Sequence, residues 1–212
     1  MMRVNFLLVC EGSFDEAIIP HLERLLRDCG ATEANGVVYS TGRAAKGRLR
    51  NKIRAAVVDT PNLDCLFVHR DADSRNSAPR YEEIERELNS ADYDGLWVGV
   101  VPVQEIEAWL LLDEAAIRRV AGKPRGSNAL RLPRAAKVEE LRNPKESLHQ
   151  KILAASGKTG RRRERIKDRL PSMCYQLLRD LPVGGHLEQV PAWARLKRDT
   201  KKCIAQLRRR NP

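Results

Sequence analysis

Three short runs, each apolar on both sides of an extended chain and each followed by enough residues for a helix, limit what this chain can fold into more than anything else in it. They are Val4 to Cys10, Asp64 to Arg70 (DCLFVHR) and Leu96 to Val101 (LWVGVV). None shows the polar alternation of a strand with one wet face, so each has to be covered on both sides, and strands joined through helices run parallel. The expected architecture is therefore α/β, a parallel sheet flanked by helices. Open sheets of that kind bind ligands beyond the carboxyl ends of their strands. The first run stops on Glu11-Gly12 and the second on Asp71-Ala72-Asp73, which makes those carboxylates the first candidates for chemistry.

Between the runs the helical signals are regular. Ser13 can cap a helix that places Ile18, Leu22, Leu25, Leu26 and Cys29 on one face and ends at Gly30. Asp15 falls on its first turn beside Glu11, where it and Glu16 also complement the helix dipole. Val37 to Tyr39 is expected to be a short strand. The following loop, Thr41 to Arg48, carries two glycines with Arg43, Lys46 and Arg48. It could hold a phosphate through backbone N–H groups and these cations, or be a solvated turn. Leu49, Ile53, Ala56 and Val57 form the next apolar face, and Tyr81, Ile84 and Leu88 the one after it.

Asp71 and Asp73 are two residues apart, so in an extended chain they point to the same side and can share a divalent ion. Beyond the third run, Gln104 to Leu112 reads as a helix with Ile106, Trp109 and Leu110 inward. Glu105 and Glu107 lie about 200° apart on such a helix, so at most one faces a site. A set of carboxylates with no soft ligand suits Mg²⁺ or Mn²⁺. A phosphodiester would be repelled by these carboxylates unless bound cations reversed the local sign. Other chemistries find little support. The four histidines share no ligand or nucleophile spacing, Gly157-Lys158-Thr159 lacks the earlier glycine and strand of a P-loop, and the five cysteines form no C-x-x-C pair and read as buried, reduced thiols.

From Glu114 the strand signals vanish and basic helical segments alternate with glycine and proline breaks: Ala115 to Val120, Arg134 to Arg142, Glu146 to Ser156, Arg161 to Arg169, Ser172 to Leu181 and Ala192 to Arg210. The expected division is a catalytic domain over 1–113 and a basic helical extension over 114–212. Net charge is +11, which favours polyanionic partners. Arg161, Arg162, Arg163 and Arg165 read either as a solvated helix face or as a track for phosphates. No apolar stretch approaches the roughly 18 residues of a spanning helix, so the expected location is the cytoplasm.

Taken together, Glu11-Gly12-Ser13-Phe14-Asp15, Asp71-Ala72-Asp73 and Glu107-Ala108-Trp109-Leu110-Leu111-Leu112-Asp113 resemble the Toprim domain of topoisomerases, bacterial primases, recombination mediators and the overcoming-lysogenization-defect nucleases. The likeness is to the nuclease branch and to short stand-alone Toprim proteins. It covers roughly the first half of the chain, with an echo at Asn143-Pro144-Lys145-Glu146. The resemblance implies a Rossmann-like Toprim sheet and metal-dependent hydrolysis of DNA or RNA. In that scheme Glu11, Asp71, Asp73, Glu107 and Lys145 are catalytic, Asp15 and Glu105 join the metal set, and Glu11 is a general acid or base. A separately encoded ABC-type ATPase and a role in phage defence are implied by resemblance alone. The alternative is a non-catalytic, nucleic-acid-binding or scaffold Toprim subunit of a recombination or repair complex.

Overall fold

The computed structural model describes residues 2–10, 12–39 and 48–210. The chain divides into two compact units, each drawn from more than one stretch: a sheet unit of Met1–Arg70, Asn76–Val101 and Ala194–Pro212, and a helical unit of Asp71–Arg75 and Pro102–Trp193. The helical unit thus takes in 71–75 and begins in earnest at Pro102 rather than at Glu114. The C-terminal stretch goes with the sheet.

In the sheet unit, β1 (Arg3–Val9), β2 (Glu33–Tyr39), β3 (Cys65–His69) and β4 (Trp97–Val100) are all parallel, in the order β2-β1-β3-β4. The three apolar runs are therefore neighbouring parallel strands, with Phe6 opposite Cys65 and Phe67 opposite Val98. Burial explains their composition: Phe6 to Val9 and Cys65 to Val68 are at most 1% exposed. Phe6 and Phe67 meet edge to face, 5.1 Å between ring centroids. β2 starts four residues before the expected Val37. As an edge strand paired on one side only, it tolerates Glu33, Asn35 and Gly36, which hide it in the sequence. Gly36 is required where it stands, because a Cβ there would come within 2.4 Å of the Phe6 ring.

The connections are helical. A 3-10 turn, Ser13–Ile18, leads into α1 (Ile19–Asp28), whose buried Leu22, Leu25 and Leu26 follow the expected face. Gly30 N–H bonds Arg27 O at 2.9 Å and Ala31 N–H bonds Leu26 O at 3.0 Å, with Gly30 at φ +108. That is the paired bonding of a Schellman C-cap. α2 (Leu49–Asp59) and α3 (Ala78–Ser90) link β2 to β3 and β3 to β4. The order places the reversal of strand progression between β1 and β3, where ligand crevices form in such sheets.

The helical unit contains α4 (Glu107–Leu110), α5 (Glu114–Val120), a 3-10 segment Ala135–Glu140, α6 (Pro144–Ser156) and α7 (Gly160–Arg179). Trp109 and Trp193 centre its core, fully buried and perpendicular to each other at 5.4 Å. Two expectations need correction. The helix expected over Gln104 to Leu112 shrinks to one turn, because Gln104 adopts φ +60 and its N–H bonds Ser74 O while its carbonyl receives Asp73 N–H. The segments expected on either side of Pro171 are a single helix, α7, with that proline inside. Pro171 is exposed, so water can satisfy the carbonyl it leaves without a partner, and Ser172 Oγ donates to Arg169 O at 2.8 Å.

The last helix, α8 (Pro191–Arg210), joins the sheet unit through Ala194 onward. There the Arg195 guanidinium lies 3.4 Å from the centre of the Tyr81 ring, and Arg208 donates to Gly30 O at 2.9 Å. Among the described residues no helix is long and apolar enough to cross a membrane.

Candidate functional site

Sequence expectation concentrates on strand ends, and in the helical unit the stretch after β3 carries it. Ala72 N–H bonds Pro102 O and Asp73 N–H bonds Gln104 O, both at 3.0 Å, so 71–75 is laced to 102–104. Asp73 takes φ +51, a left-handed conformation that Asp tolerates better than most residues. The extended geometry that would aim Asp71 and Asp73 to one side therefore does not persist to Asp73. Instead Asp71 Oδ1 accepts the N–H of Ile106 at 3.0 Å, fixing the chain just ahead of α4. Asp73 stands exposed.

Glu105 and Glu107 separate by what they meet. Glu105 precedes the helix, and its Oε2 accepts the backbone N–H of Lys145 at 3.0 Å, in the first turn of α6. A carboxylate there satisfies one of the helix's unpaired N–H groups and complements its dipole. Glu107 is 5% exposed and pairs with the side chain of the same lysine, Oε1 to Nζ 3.4 Å. Lys145 is thus gripped at backbone and side chain by two different glutamates. The Glu107 charge raises its pKa above the ordinary lysine value, burial opposes, and the hydrogen bond to Glu107 and the charges of Glu105 and Asp71 add to the rise. Three carboxylates therefore act on one ammonium.

Asp73, Glu105 and Lys145 border a cavity of about 450 Å³ that Arg142, Asn143 and His149 also line. Arg142 and His149 were not foreseen. A signal existed: Asn143 before Pro144 marks a helix start, and a helix from Pro144 puts Lys145 and His149 one turn apart on one face. Asp113, the last acid of the E-A-W-L-L-x-D stretch, caps α5 by accepting Ala116 N–H at 2.9 Å. On α7, Cys174 is buried and its thiol is pushed up to about 12, by burial first and the Glu107 charge second, with Lys145 opposing.

Of the remaining candidates, Asp15 and Arg48 belong to the sheet unit and the arginines of α7 to the helical unit. Asp15 is 7% exposed; its Oδ2 accepts Gly12 N–H at 3.1 Å and lies 3.3 Å from His69 Nδ1. Asp15 and His69 so join the carboxyl ends of β1 and β3. At the same end Lys52 Nζ donates to Cys10 O at 3.4 Å. Arg48 is exposed, as are Arg161, Arg162 and Arg165 on α7, while Arg163 is half-buried. Glu11, Arg43 and Lys46 lie outside the described residues.

The donor chemistry of Asp71, Asp73, Glu105 and Glu107, all oxygen and all carboxylate, fits a hard divalent cation. Among the described residues no three Asp, Glu, His or Cys side chains gather closely enough to hold a metal by themselves. Mg²⁺ does not require that many, since it is commonly held by one or two carboxylates with substrate phosphate and water completing the shell. Comparisons of this chain with protein families, with curated proteins and with solved structures gave no match.

Proposed function

We propose that this chain hydrolyses phosphodiester bonds of DNA or RNA at the Asp71, Glu105, Glu107 and Lys145 cluster. The observation that carries the reading is the convergence of three carboxylates on the Lys145 ammonium at the edge of a polar cavity. Lys145, with a side chain 58% exposed, and Arg142 contact non-bridging phosphate oxygens and offset their charge. Glu107 and Glu105 hold Lys145 in place, one at Nζ and one through the start of α6. Asp73, exposed on the cavity wall, accepts the proton of the attacking water at a carboxylate oxygen. One or two of Asp71, Asp73, Glu105 and Glu107 would hold Mg²⁺ or Mn²⁺, with substrate phosphate and water completing its shell, and the ion when bound supplies activation of water and stabilisation of charge on the leaving oxygen. The Toprim resemblance supports the same chemistry, with Glu11 as an additional acid or base, and brings with it a separate ABC-type ATPase partner in phage defence.

A second reading is a binding or scaffold subunit without catalysis. It is favoured by the way Asp71 and Glu105 each accept a backbone N–H while Glu107 pairs with Lys145, as a purely structural network would. The two are separated by assaying single- and double-stranded DNA and tRNA in Mg²⁺, in Mn²⁺ and with chelator, alone and with an ATPase partner, beside binding across a salt series. Asp71→Asn is the informative variant because it keeps an acceptor for Ile106 N–H and removes only charge. Expected are metal-dependent cleavage by the parent and loss of cleavage with binding retained in Asp71→Asn. Binding without cleavage under every condition would establish the second reading.

A further inference from the structure

In the sheet unit, Cys65 opens the buried strand β3 and Cys203 lies on α8, and their Sγ atoms are 3.0 Å apart across 138 residues of chain. Cys65 is 0% exposed and Cys203 3%. Closing that separation to the about 2.05 Å of a disulfide asks for a shift of only about 1 Å. Their access to solvent differs. Cys203 borders a cavity of about 210 Å³ together with Tyr81, Gly99, Arg195, Asp199 and Lys202, whereas Cys65 does not line it. That volume admits a molecule the size of hydrogen peroxide.

We propose that Cys65 and Cys203 are a reversible dithiol–disulfide site, closed by hydrogen peroxide entering the cavity beside Cys203, which fastens α8 to β3. The Cys203 thiolate attacks one peroxide oxygen and breaks the O–O bond, giving a sulfenic acid and hydroxide. The Cys65 sulfur then attacks the Cys203 sulfur, the S–S bond forms as the S–O bond breaks, and the departing hydroxyl leaves as water with the Cys65 proton. The hydroxide of the first step takes up the proton that Cys203 had given up. Two thiols lose two electrons, and one peroxide becomes two waters. A dithiol reductant reverses the reaction by exchange. Geometry and surroundings order the steps: Cys203 borders the cavity and Cys65 does not, the hydrogen bond with the facing Cys65 thiol, aided by Arg210, lowers the Cys203 thiol against the effect of burial, and burial holds Cys65 well above the ordinary thiol range. Cys10 and Cys174, both pushed up to about 12 by burial, are poor competitors for the first step.

The test uses the full chain. Reduced protein is exposed to hydrogen peroxide near neutral pH, alkylated, digested without reductant and mapped by mass spectrometry, with amide exchange of α8 measured before and after. Expected is a Cys65–Cys203 peptide pair that dithiothreitol abolishes, and amide exchange over Lys197 to Leu207 slowed by at least about tenfold in the oxidised form. In Cys65→Ala, where no second thiol faces Cys203, a sulfenic acid that dimedone traps should accumulate at Cys203. The proposal is overturned by recovery of Cys203 as its alkylated thiol or as sulfinic acid at a peroxide dose that oxidises methionine. It is equally overturned by a cross-link to a different cysteine, or by a Cys65–Cys203 bond that leaves α8 exchange unchanged. Should Cys65→Ala fail to fold, the map of the unaltered chain decides alone.

Discussion

Two glutamates two residues apart, with the same side chain and the same charge, are set to different tasks by what stands opposite them. Glu105 meets a backbone N–H and Glu107 an ammonium, and both belong to Lys145. Glu105→Gln keeps an acceptor for the helix start, so its cost in stability should stay within about 1 kcal/mol. Lys145→Met should lower the rate of cleavage by at least about 100-fold, because the cation that meets the phosphate is lost. It should cost no more than about 1 kcal/mol in urea unfolding, since the lysine is more than half exposed and its pair is screened by water. Cys174 gives a dependence on pH. Its thiol, raised from 9.0 to about 12 in the folded chain, keeps its proton where the unfolded chain has released it. The stability it contributes is therefore complete below about pH 9 and is lost as pH rises towards 12, on the order of 4 kcal/mol in all. Urea unfolding between pH 7 and 11 should show that decline, and Cys174→Ala should lessen it, leaving the part that Cys10, also raised to about 12, contributes.

At the scale of elements, α7 is two helices in character and one in structure. Its first half has no buried residue before Leu170, and beyond Pro171 it buries Met173, Cys174, Leu177 and Leu178. Pro171→Ala should restore a helix hydrogen bond on an exposed face and stabilise by about 1–3 kcal/mol, measured as a rise in Tm. Gly30→Ala works the other way. It puts a Cβ at φ +108 and within 2.2 Å of the Arg208 guanidinium, and should cost about 1–2 kcal/mol, a fall in Tm of a few degrees. These elements also mark what could be read in advance. β1, β3 and β4 declare themselves because burial on both faces leaves no room for polar residues. The polar edge strand β2 does not, since it is paired on one side only and its free side accepts polar partners, as Gly36 N–H does in bonding Glu23 Oε1. Proline normally ends a helix, so a helix that runs through one is invisible to a rule about local bonding. In the candidate site Lys145 was legible from its motif and the charge of Glu107. The division of labour between Glu105 and Glu107 was not, because it depends on α6 arriving from about 40 residues away, which no spacing along α4 encodes.

For the whole molecule, a net charge of +11 makes affinity for nucleic acid depend on salt. Replacing Arg161, Arg162 and Arg165 by alanine should reduce the slope of log affinity against log salt by up to about 0.7–0.9 for each arginine that meets a phosphate, as read by fluorescence anisotropy. Cleavage per bound substrate should be unchanged. The interleaving of the two units has a different kind of consequence, one of timing. Leaving the ribosome at roughly 5–20 residues per second, all four strands have emerged by Val100, but α8 follows only after Pro102–Trp193, the bulk of the other unit, has been made. With 138 residues between Cys65 and Cys203, Cys65 and the strand it opens lack the helix that faces them for roughly 7–28 s. A fragment ending before Pro191 leaves that strand uncovered on the same side, and should bind a hydrophobic dye and aggregate where the full chain does not.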